Sequence, residues 1–93
     1  MDIKALSAKI DNFGKNELIY WSNAIAGEAG ELCNLVKKHY RDGDYQYEAM
    51  KEEIADIFIY IAITARDILK FDLEAAVLSK IEKVKQRRKV GEK

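Results

Sequence analysis

Residues 54–65 read IADIFIYIAITA, and Asp56 is the only charged residue in this stretch. Apolar side chains occur all round a helix of this sequence, so the helix should be buried on most sides. Glu53 lies about one turn earlier on the same side as Asp56, and Tyr60 continues that stripe. The stretch therefore predicts a core helix that carries two carboxylates on one side.

A second pair of acids lies on the preceding predicted helix, at about residues 16–40. Positions spaced alternately by three and four form its core-facing stripe, and they hold Leu18, Trp21, Ile25, Glu28, Leu32 and Leu35. Glu28 is therefore in register with apolar side chains, and Glu31 lies about 60° round the helix on the same side. Gly27 and Gly30 flank these acids despite their cost to a helix, which indicates a close approach to the backbone.

Acids that point into a core must be paired, protonated or bound to metal, because burying an unpaired charge is heavily penalised. Two acids on each of two neighbouring helices would repel one another, and divalent cations would remove that repulsion. Oxygen ligands favour Mg²⁺, with Mn²⁺ as the alternative, over zinc or copper. The predicted metal ligands are Glu28, Glu31, Glu53 and Asp56. Solvated surface acids, or pairing of Asp56 with a core lysine or arginine, would not explain why both pairs coincide with apolar faces.

The other helices are predicted from residue spacing and turn residues. Residues 2–12 place apolar side chains three and four apart, and this helix should end before Gly14. RDGD at 41–44 is typical of a turn, and the third helix should run over about residues 45–70. Short connections between long helices favour antiparallel neighbours in a bundle.

The fourth helix should begin at residue 73, with Asp72 as its N-cap, and fade in a basic, flexible tail at about 86–93. The chain lacks proline, the strongest breaker of helix interiors. We therefore predict an all-α fold, a helical bundle of about four helices in a single domain over residues 1–93. The third helix has almost no solvent face, so homo-oligomerisation, as a homodimer or a dimer-of-dimers tetramer, should complete the bundle.

Composition limits the class of protein. Sixteen basic residues balance sixteen acidic ones, which gives no net basic surface for nucleic acid. Cys33 is the only cysteine, which fits a reducing compartment, and we expect it to be a small buried side chain. The N-terminal residues lack the apolar core of a signal peptide, and no uncharged stretch reaches membrane-spanning length. We expect a soluble, cytoplasmic protein without a membrane or nucleic-acid partner.

Two acidic motifs at a fixed separation, followed by a particular closing helix, are typical of one family. EAGE at 28–31 is followed, after 21 residues, by EIAD at 53–56, and residues 72–87 read DLEAAVLSKIEKVKQR. This ordered set resembles the ExxE…ExxD signature and the closing helix of the MazG-like, all-α nucleoside triphosphate pyrophosphohydrolases. The resemblance covers roughly residues 18–88. The chain departs from the family at Val84, where the closing helix often carries asparagine.

The resemblance implies a reaction between the α and β phosphates of a nucleoside triphosphate. Hydrolysis there yields a monophosphate and pyrophosphate, a reaction suited to nucleotide-pool house-cleaning. The four acids would be magnesium ligands, and Glu53 and Glu28 would also be catalytic, with Glu53 orienting the attacking water. Metal ions neutralise phosphate charge and lower the pKa of bound water, so no covalent nucleophile is needed.

The resemblance and the residue spacing also indicate substrate contacts. The candidates are Trp21, Lys37, Lys38, Tyr60, Lys80 and Arg87. Trp21 could stack on a base, and a tryptophan buried in the core is the alternative. Lys80 and Arg87 interrupt an apolar stripe on the fourth helix and suit phosphate oxygens, although both could instead snorkel at the edge of the bundle.

Two alternatives remain open, and a third, a di-iron site, is set aside. A phosphoribosyl-ATP pyrophosphohydrolase has a similar acid pattern, but its family carries Tyr-His after the aspartate helix, and this chain has Tyr60-Ile61. A non-enzymatic helical oligomerisation module explains the apolar helices and the balanced charge but not acids on buried faces. A carboxylate-bridged di-iron bundle normally uses Glu-x-x-His, and the only histidine, His39, lies eight residues past Glu31.

Overall fold

Four α-helices and one π-helical turn follow one another along the chain. The structure is a computed structural model that describes residues 2–91, with side chains described through Arg88. The elements are α1 (Ile3–Ser7), α2 (Leu18–Asp42), α3 (Tyr47–Ile63), a π-helical turn (Thr64–Ile68) and α4 (Leu73–Gly91). No strand occurs over residues 2–91, which confirms the predicted all-α fold. No helix in that range is long and apolar enough to cross a membrane.

α2 and α3 form the central pair of helices. Gly43 ends α2 with left-handed backbone (φ 71°), and the N–H of Gly43 donates to the carbonyl oxygen of His39 at 2.9 Å. The N–H of Asp44 donates to the carbonyl oxygen of Lys38 at 3.3 Å, which completes a glycine-capped helix end. The predicted turn is present but lies at residues 43–46 instead of 41–44, because α2 continues through Asp42, and it returns α3 antiparallel to α2.

The first helix is shorter than predicted, because α1 ends at Ser7 rather than at residue 12. Downstream of it, the N–H of Phe13 donates to Asp11 Oδ1 at 3.0 Å. The N–H of Gly14 donates to Asn12 Oδ1 at 2.9 Å. Short polar side chains that capture backbone N–H groups in this way compete with a helix. The chain instead turns through left-handed backbone at Phe13 (φ 54°) and Gly14 (φ 75°).

The third helix also ends earlier than predicted. Its α-helical part stops at Ile63, and a π-helical turn replaces the expected run to residue 70. The N–H of Leu69 donates to the carbonyl oxygen of Thr64 at 2.9 Å, the wider closure of a π-helix, and Lys70 then adopts left-handed backbone (φ 57°). Residues 64–68, TARDI, contain neither proline nor glycine, so composition gives no indication of the change.

The fourth helix begins as predicted, since the N–H of Ala75 donates to Asp72 Oδ1 at 3.1 Å. α4 continues through Gly91, farther than the predicted fading in the basic tail. Lysine, arginine and glutamine are good helix formers, and no proline interrupts them. Residues 92 and 93 lie outside the described part of the chain. α4 contacts α1 more than it contacts any other element.

Few side chains are buried within the chain. Among residues 2–88, the buried ones are Ser7, Trp21, Ala62, Ile63 and Ala65. Large apolar side chains are exposed on every α-helix, and examples are Leu6, Ile19, Val36, Ile54, Leu78 and Ile81. Ile54 is 56% exposed, although the sequence predicts that α3 is buried on most sides. The chain by itself leaves apolar surface of the kind that marks association sites.

The expectation of a buried cysteine is wrong. Cys33 is exposed on α2. It lies about 100° round the helix from Leu32, a half-buried member of the predicted core-facing stripe, and that rotation turns the thiol away from the core. The side chain of Cys33 therefore adds nothing to the core of the single chain.

Candidate metal centre

Three of the four predicted acids meet where α2 packs against α3. Glu28 comes from α2, and Glu53 and Asp56 come from α3. One carboxylate oxygen of each residue lies within 4.8 Å of the others. Metal–oxygen distances of about 2.0–2.6 Å place the ligands of one divalent cation at about this separation. All three side chains are half-buried, as expected from their register with the apolar stripes of the two helices.

Glu53 is the most strongly perturbed of these acids. Its Oε1 atom is buried and has no hydrogen-bond partner within the described residues. A shared hydrogen bond with Glu28 raises the pKa of Glu53 to about 7, and burial and the neighbouring carboxylates act in the same direction. Two adjacent carboxylates favour sharing one proton at pH values below this pKa, and a divalent cation can take the place of that proton.

The pKa values of two neighbours of Glu53 are also raised. Burial raises the pKa of Asp56, and the charges of Glu28 and Glu52 add to it. Burial also raises the pKa of Tyr60, with Glu28 and Asp56 as the next causes. Within residues 2–88, no lysine or arginine forms an ion pair with these acids. The centre is therefore crowded with negative charge that no described side chain neutralises.

The fourth predicted ligand stands apart. Glu31 is exposed on α2 and does not belong to the close group of three. Its charge nevertheless contributes to the raised pKa of Glu53, so the two carboxylates are near enough to interact. Glu31 thus borders the centre on its exposed side, and its role as a metal ligand stays a prediction.

None of the predicted phosphate-binding cations forms an ion pair with these acids within the chain. Lys37 and Lys38 are exposed on α2, and Lys80 and Arg87 are exposed on α4. α4 contacts mainly α1, whereas the acids lie between α2 and α3. The assignment of these four side chains to phosphate stays a prediction.

An aromatic cleft lies close to the acids. Trp21 is 4% exposed, its indole N–H donates to the carbonyl oxygen of Lys15 at 3.0 Å, and its ring centroid is 5.4 Å from that of Tyr60. Trp21 is thus a core residue, and together with Tyr60 it also lines a cleft of about 360 Å³. Tyr20 packs edge-on against Trp21 at 4.9 Å and forms another wall of the same cleft.

Sequence reasoning missed the N-terminal side of this cleft. The residues that line it there are Lys9, Ile10, Asp11 and Phe13. Asn12 Nδ2 ties this segment 9–13 to the π-helical turn by donating to Asp67 Oδ2 at 2.9 Å. The two residues are 55 positions apart, and nothing in a single sequence indicates that they meet.

The fold and the site together define an all-helical protein with a carboxylate centre suited to divalent cations. The family model of the MazG nucleotide pyrophosphohydrolase domain matches residues 19–91. The chain therefore belongs to the MazG nucleotide pyrophosphohydrolase family, which confirms the resemblance found in the sequence and supports a nucleotide hydrolase in general. Searches of curated proteins and of solved structures found no match. Residues 2–18, with α1 and the segment 9–13, lie outside the matched range.

Proposed function

We propose that this protein is a magnesium-dependent nucleotide pyrophosphohydrolase that cleaves ribo- or deoxynucleoside triphosphates to monophosphates and pyrophosphate. The observation that carries the proposal is the close group of Glu28, Glu53 and Asp56. These acids are half-buried and have no cationic partner among residues 2–88. Membership of the MazG family supports the reaction class.

The residues present fit a divalent cation. The buried, unpartnered Oε1 of Glu53 and the adjacent oxygens of Glu28 and Asp56 are hard oxygen donors, which Mg²⁺ and Mn²⁺ prefer. We assign these three residues as ligands, with Glu31 as the fourth from the exposed side. Bound Mg²⁺ would neutralise phosphate charge and lower the pKa of a bound water.

Glu53 and Glu28 are the catalytic residues of this proposal. An ionised Glu53 offers lone pairs to an O–H of the attacking water and so orients it. The carboxyl group of Glu28 lies beside that of Glu53 and is the main cause of its raised pKa, so the two side chains act on the same site. Both roles require the side chains to be fixed, which their half-buried positions between two packed helices favour.

The remaining predicted contacts divide between the two ends of the substrate. Tyr60 and Trp21, in the cleft beside the acids, face the nucleoside end. The phosphate contacts of the proposal are Lys37, Lys38, Lys80 and Arg87. Arginine grips phosphate oxygens bidentately and lysine acts as a point charge, and a triphosphate carries more negative charge than the metal neutralises.

Self-association is part of the proposal, because α4 packs mainly on α1 of its own chain. A homodimer or a dimer of dimers would cover the exposed apolar side chains of α4, including Leu78 and Ile81. It would also allow Lys80 and Arg87 of one copy to meet the acids of another. We propose a cytoplasmic role in nucleotide-pool house-cleaning, with no nucleic-acid partner, in keeping with the balanced charge of the chain.

A substrate screen tests the reaction. The full chain is incubated with Mg²⁺ and each ribo- and deoxynucleoside triphosphate, and with phosphoribosyl-ATP, and the products are separated and quantified. We expect monophosphate and pyrophosphate in equal amounts. Diphosphate with inorganic phosphate would instead place attack at the γ-phosphate and contradict the proposal. Turnover of phosphoribosyl-ATP alone would establish that alternative, and no turnover of any substrate would favour the oligomerisation module.

Substitutions on α4 test the phosphate contacts and the assembly. Lys80→Ala and Arg87→Ala should each lower kcat/KM by about tenfold or more, the loss expected for a charged hydrogen bond, while Mg²⁺ binding without nucleotide is kept. Lys83→Ala, an exposed lysine on the same helix, is the control. If the first two variants keep full kcat/KM and only melt earlier, these residues are structural. A monomer by light scattering at micromolar concentration would contradict the assembly.

A further inference from the structure

Phe13 stands at the mouth of the aromatic cleft, and its side chain is 79% exposed. Tyr20 and Tyr60 form walls of the cleft, and the buried Trp21 lies at its floor. Tyr60 is four residues past Asp56, which is about 6 Å along α3. A small ligand whose charged end meets the acids can therefore extend past Tyr60 into the cleft that Phe13 also lines.

The backbone of the segment 9–13 holds Phe13 in this exposed position. Phe13 has left-handed backbone (φ 54°), which is uncommon for a bulky residue other than glycine. Asp11 Oδ1 accepts the N–H of Phe13, and Asn12 Oδ1 accepts the N–H of Gly14. Strained backbone of this kind persists where surrounding contacts determine it, and it is frequent at ligand sites.

A side-chain network fixes this segment to the π-helical turn. Asn12 Nδ2 donates to Asp67 Oδ2 at 2.9 Å. Arg66 donates to both carboxylate oxygens of Asp67 at 2.7 Å, and it also donates to the carbonyl oxygen of Ser7 at the end of α1. The position of Phe13 relative to the cleft therefore depends on Asp67, which lies in the π-helical turn, eleven residues after Asp56.

We propose that Phe13 contacts the nucleobase of the substrate and that the hydrogen bond between Asn12 and Asp67 positions it. This inference rests on the proposed function, because it places the base in the cleft while the phosphates meet the acids. Aromatic rings stack on any base, and Lys9 and Asp11 at the rim offer a donor and an acceptor for its edge. A volume of about 360 Å³ lies within the range of small-molecule sites.

The segment 9–13 lies outside the residues that the family model matches, which begin at residue 19. The acids and Tyr60 lie within the matched range and serve the reaction class in general.

Trp21 provides a direct readout of the cleft, because it is the only tryptophan in the chain. The full chain is titrated with each of the four deoxynucleoside monophosphates, which are products and are not turned over, and the fluorescence of Trp21 is followed. Phe13→Ala should weaken binding about tenfold, the loss of one aromatic–base stack, and Phe13→Tyr should keep it. In turnover, Phe13→Ala should raise KM by a similar factor and leave kcat and inhibition by pyrophosphate unchanged.

Phe71→Ala is the matched control, since Phe71 is another exposed phenylalanine and lines a different cleft. This variant should bind nucleotide as the wild type does. A Phe71→Ala variant that loses as much nucleotide affinity as Phe13→Ala would contradict the proposal.

The positioning role is tested by exchanging the two partners. Asn12→Asp keeps an acceptor for the N–H of Gly14 but sets a carboxylate against Asp67, so it should raise KM. Adding Asp67→Asn removes the repulsion between the two carboxylates and offers an N–H to the carboxylate at position 12, so it should lower KM again, though not fully, because the Oδ2 atom that Asn12 contacts also accepts from Arg66. The double variant should still melt earlier than the wild type, because Arg66 has lost its paired carboxylate. If Asn12 and Asp67 only stabilise the fold, KM should stay raised in the double variant, because its stability is still reduced.

Two results would overturn the inference. One is a Phe13→Ala variant with the nucleotide affinity and KM of the wild type. The other is a loss of affinity accompanied by a smaller assembly in light scattering, which would assign Phe13 to an interface between copies of the chain. A failure of the proposed function would give a different result from a failure of this inference. The former would appear as no pyrophosphate from any triphosphate while quenching of Trp21 by monophosphates still depends on Phe13.

Discussion

Asp56 and Asp67 lie eleven residues apart on consecutive helical segments, and their surroundings change their pKa values in opposite directions. Arg66 donates to both oxygens of Asp67, and Asn12 donates to one of them. These hydrogen bonds, that of Arg66 first, lower the pKa of Asp67. Asp56 has no such partner, and burial followed by the charge of Glu28 raises its pKa.

The difference separates a carboxylate that is paired within the protein from one that is free to bind a cation. Both side chains are half-buried, so burial alone does not distinguish them. A carboxylate that already pairs with an arginine of the folded protein gains little free energy from binding an external cation. A group of unpaired carboxylates destabilises the metal-free fold, and a bound cation relieves that cost. The partners of a half-buried acid are therefore more informative about function than its position on the helix.

The largest expected effect is on turnover when the unpaired group is broken. The variants are Glu28→Gln, Glu31→Gln, Glu53→Gln and Asp56→Asn. Each variant should lower turnover by more than roughly 10–100-fold. That range is the loss expected when a residue that only contacts a metal ligand is replaced. Stability without metal should stay the same or rise, because repulsion among the acids is relieved. Magnesium-dependent pyrophosphate release and thermal unfolding measure the two quantities.

Glu48→Gln is the control for these variants. Glu48 is also an acid of α3, but it is exposed and pairs with Lys51 at 3.1 Å. Its replacement should leave turnover unchanged. Activity at the wild-type level in any three of the four metal-site variants would refute the assignment of the centre.

The close approach of Glu28, Glu53 and Asp56 could be predicted from the sequence because it depends on local periodicity. Helical spacing alone places Glu28 in the apolar stripe of α2 and puts Glu53 and Asp56 on one side of α3. The antiparallel pairing that brings the helices together follows from the short connection at 43–46. Glu31 has the same spacing signature but lies 60° farther round, and the structure leaves it exposed at the edge of the group, about where that rotation takes it.

The N-terminal region could not be predicted in the same way. α1 stops early because Asp11 and Asn12 capture backbone N–H groups, a competition in which helix and turn differ little in free energy. The π-helical turn depends on contacts made by Arg66 and Asp67 with residues far away in the sequence. Long-range pairs such as Asn12 and Asp67 have no periodic pattern, so a single sequence does not reveal them.

Magnesium should raise the melting temperature through the unpaired acids and not through Asp67. A ligand that binds only the folded state, at a hundred times its Kd, adds about 2.7 kcal/mol. For a domain of this size, that corresponds to an increase in Tm of roughly 10–20 °C. Wild type and Asp67→Ala should both show the increase, and Glu53→Gln should lose most of it. An equal increase with sodium at the same ionic strength would indicate general screening instead of a site.

Breaking the paired carboxylate should cost less. Asp67→Ala removes three charged hydrogen bonds, two from Arg66 and one from Asn12, and leaves Arg66 unpaired, so it should lower the free energy of unfolding by about 1–3 kcal/mol. The side chains of Arg66 and Asp67 are only 31% and 23% exposed, so solvent screens the pair weakly. Arg41 and Asp42 form the same adjacent pair at 2.9 Å with 67% and 50% exposure, and Asp42→Ala should cost roughly 0–1 kcal/mol. Equal costs in urea unfolding at one protein concentration would contradict this ranking.

The smallest effect is on the pH dependence of stability without metal. The pKa of Glu53 is raised from 4.5 to about 7 in the folded chain, so the folded state holds this proton more tightly than the unfolded state. The stability contributed by that proton is fully present below pH 4.5 and is lost as the pH rises toward 7. Asp67 changes stability with pH in the opposite direction, because its pKa is lowered from 3.8. The stability that its ionised form contributes is lost as the pH falls below that value. Metal-free stability should therefore be highest at mildly acidic pH.

Two variants separate these contributions in chemical denaturation at a series of pH values. Glu53→Gln cannot titrate, so it should remove the decline between pH 4.5 and about 7 and keep the loss in acid. Asp67→Ala should remove the loss in acid and keep the decline toward neutral pH. Magnesium should reverse the slope on the neutral side, because the cation competes with the proton for Glu53 and binds more tightly as the pH rises. A Glu53→Gln profile that still falls over this range would assign the decline to another group, and Glu53 would not be the proton-binding member of the cluster.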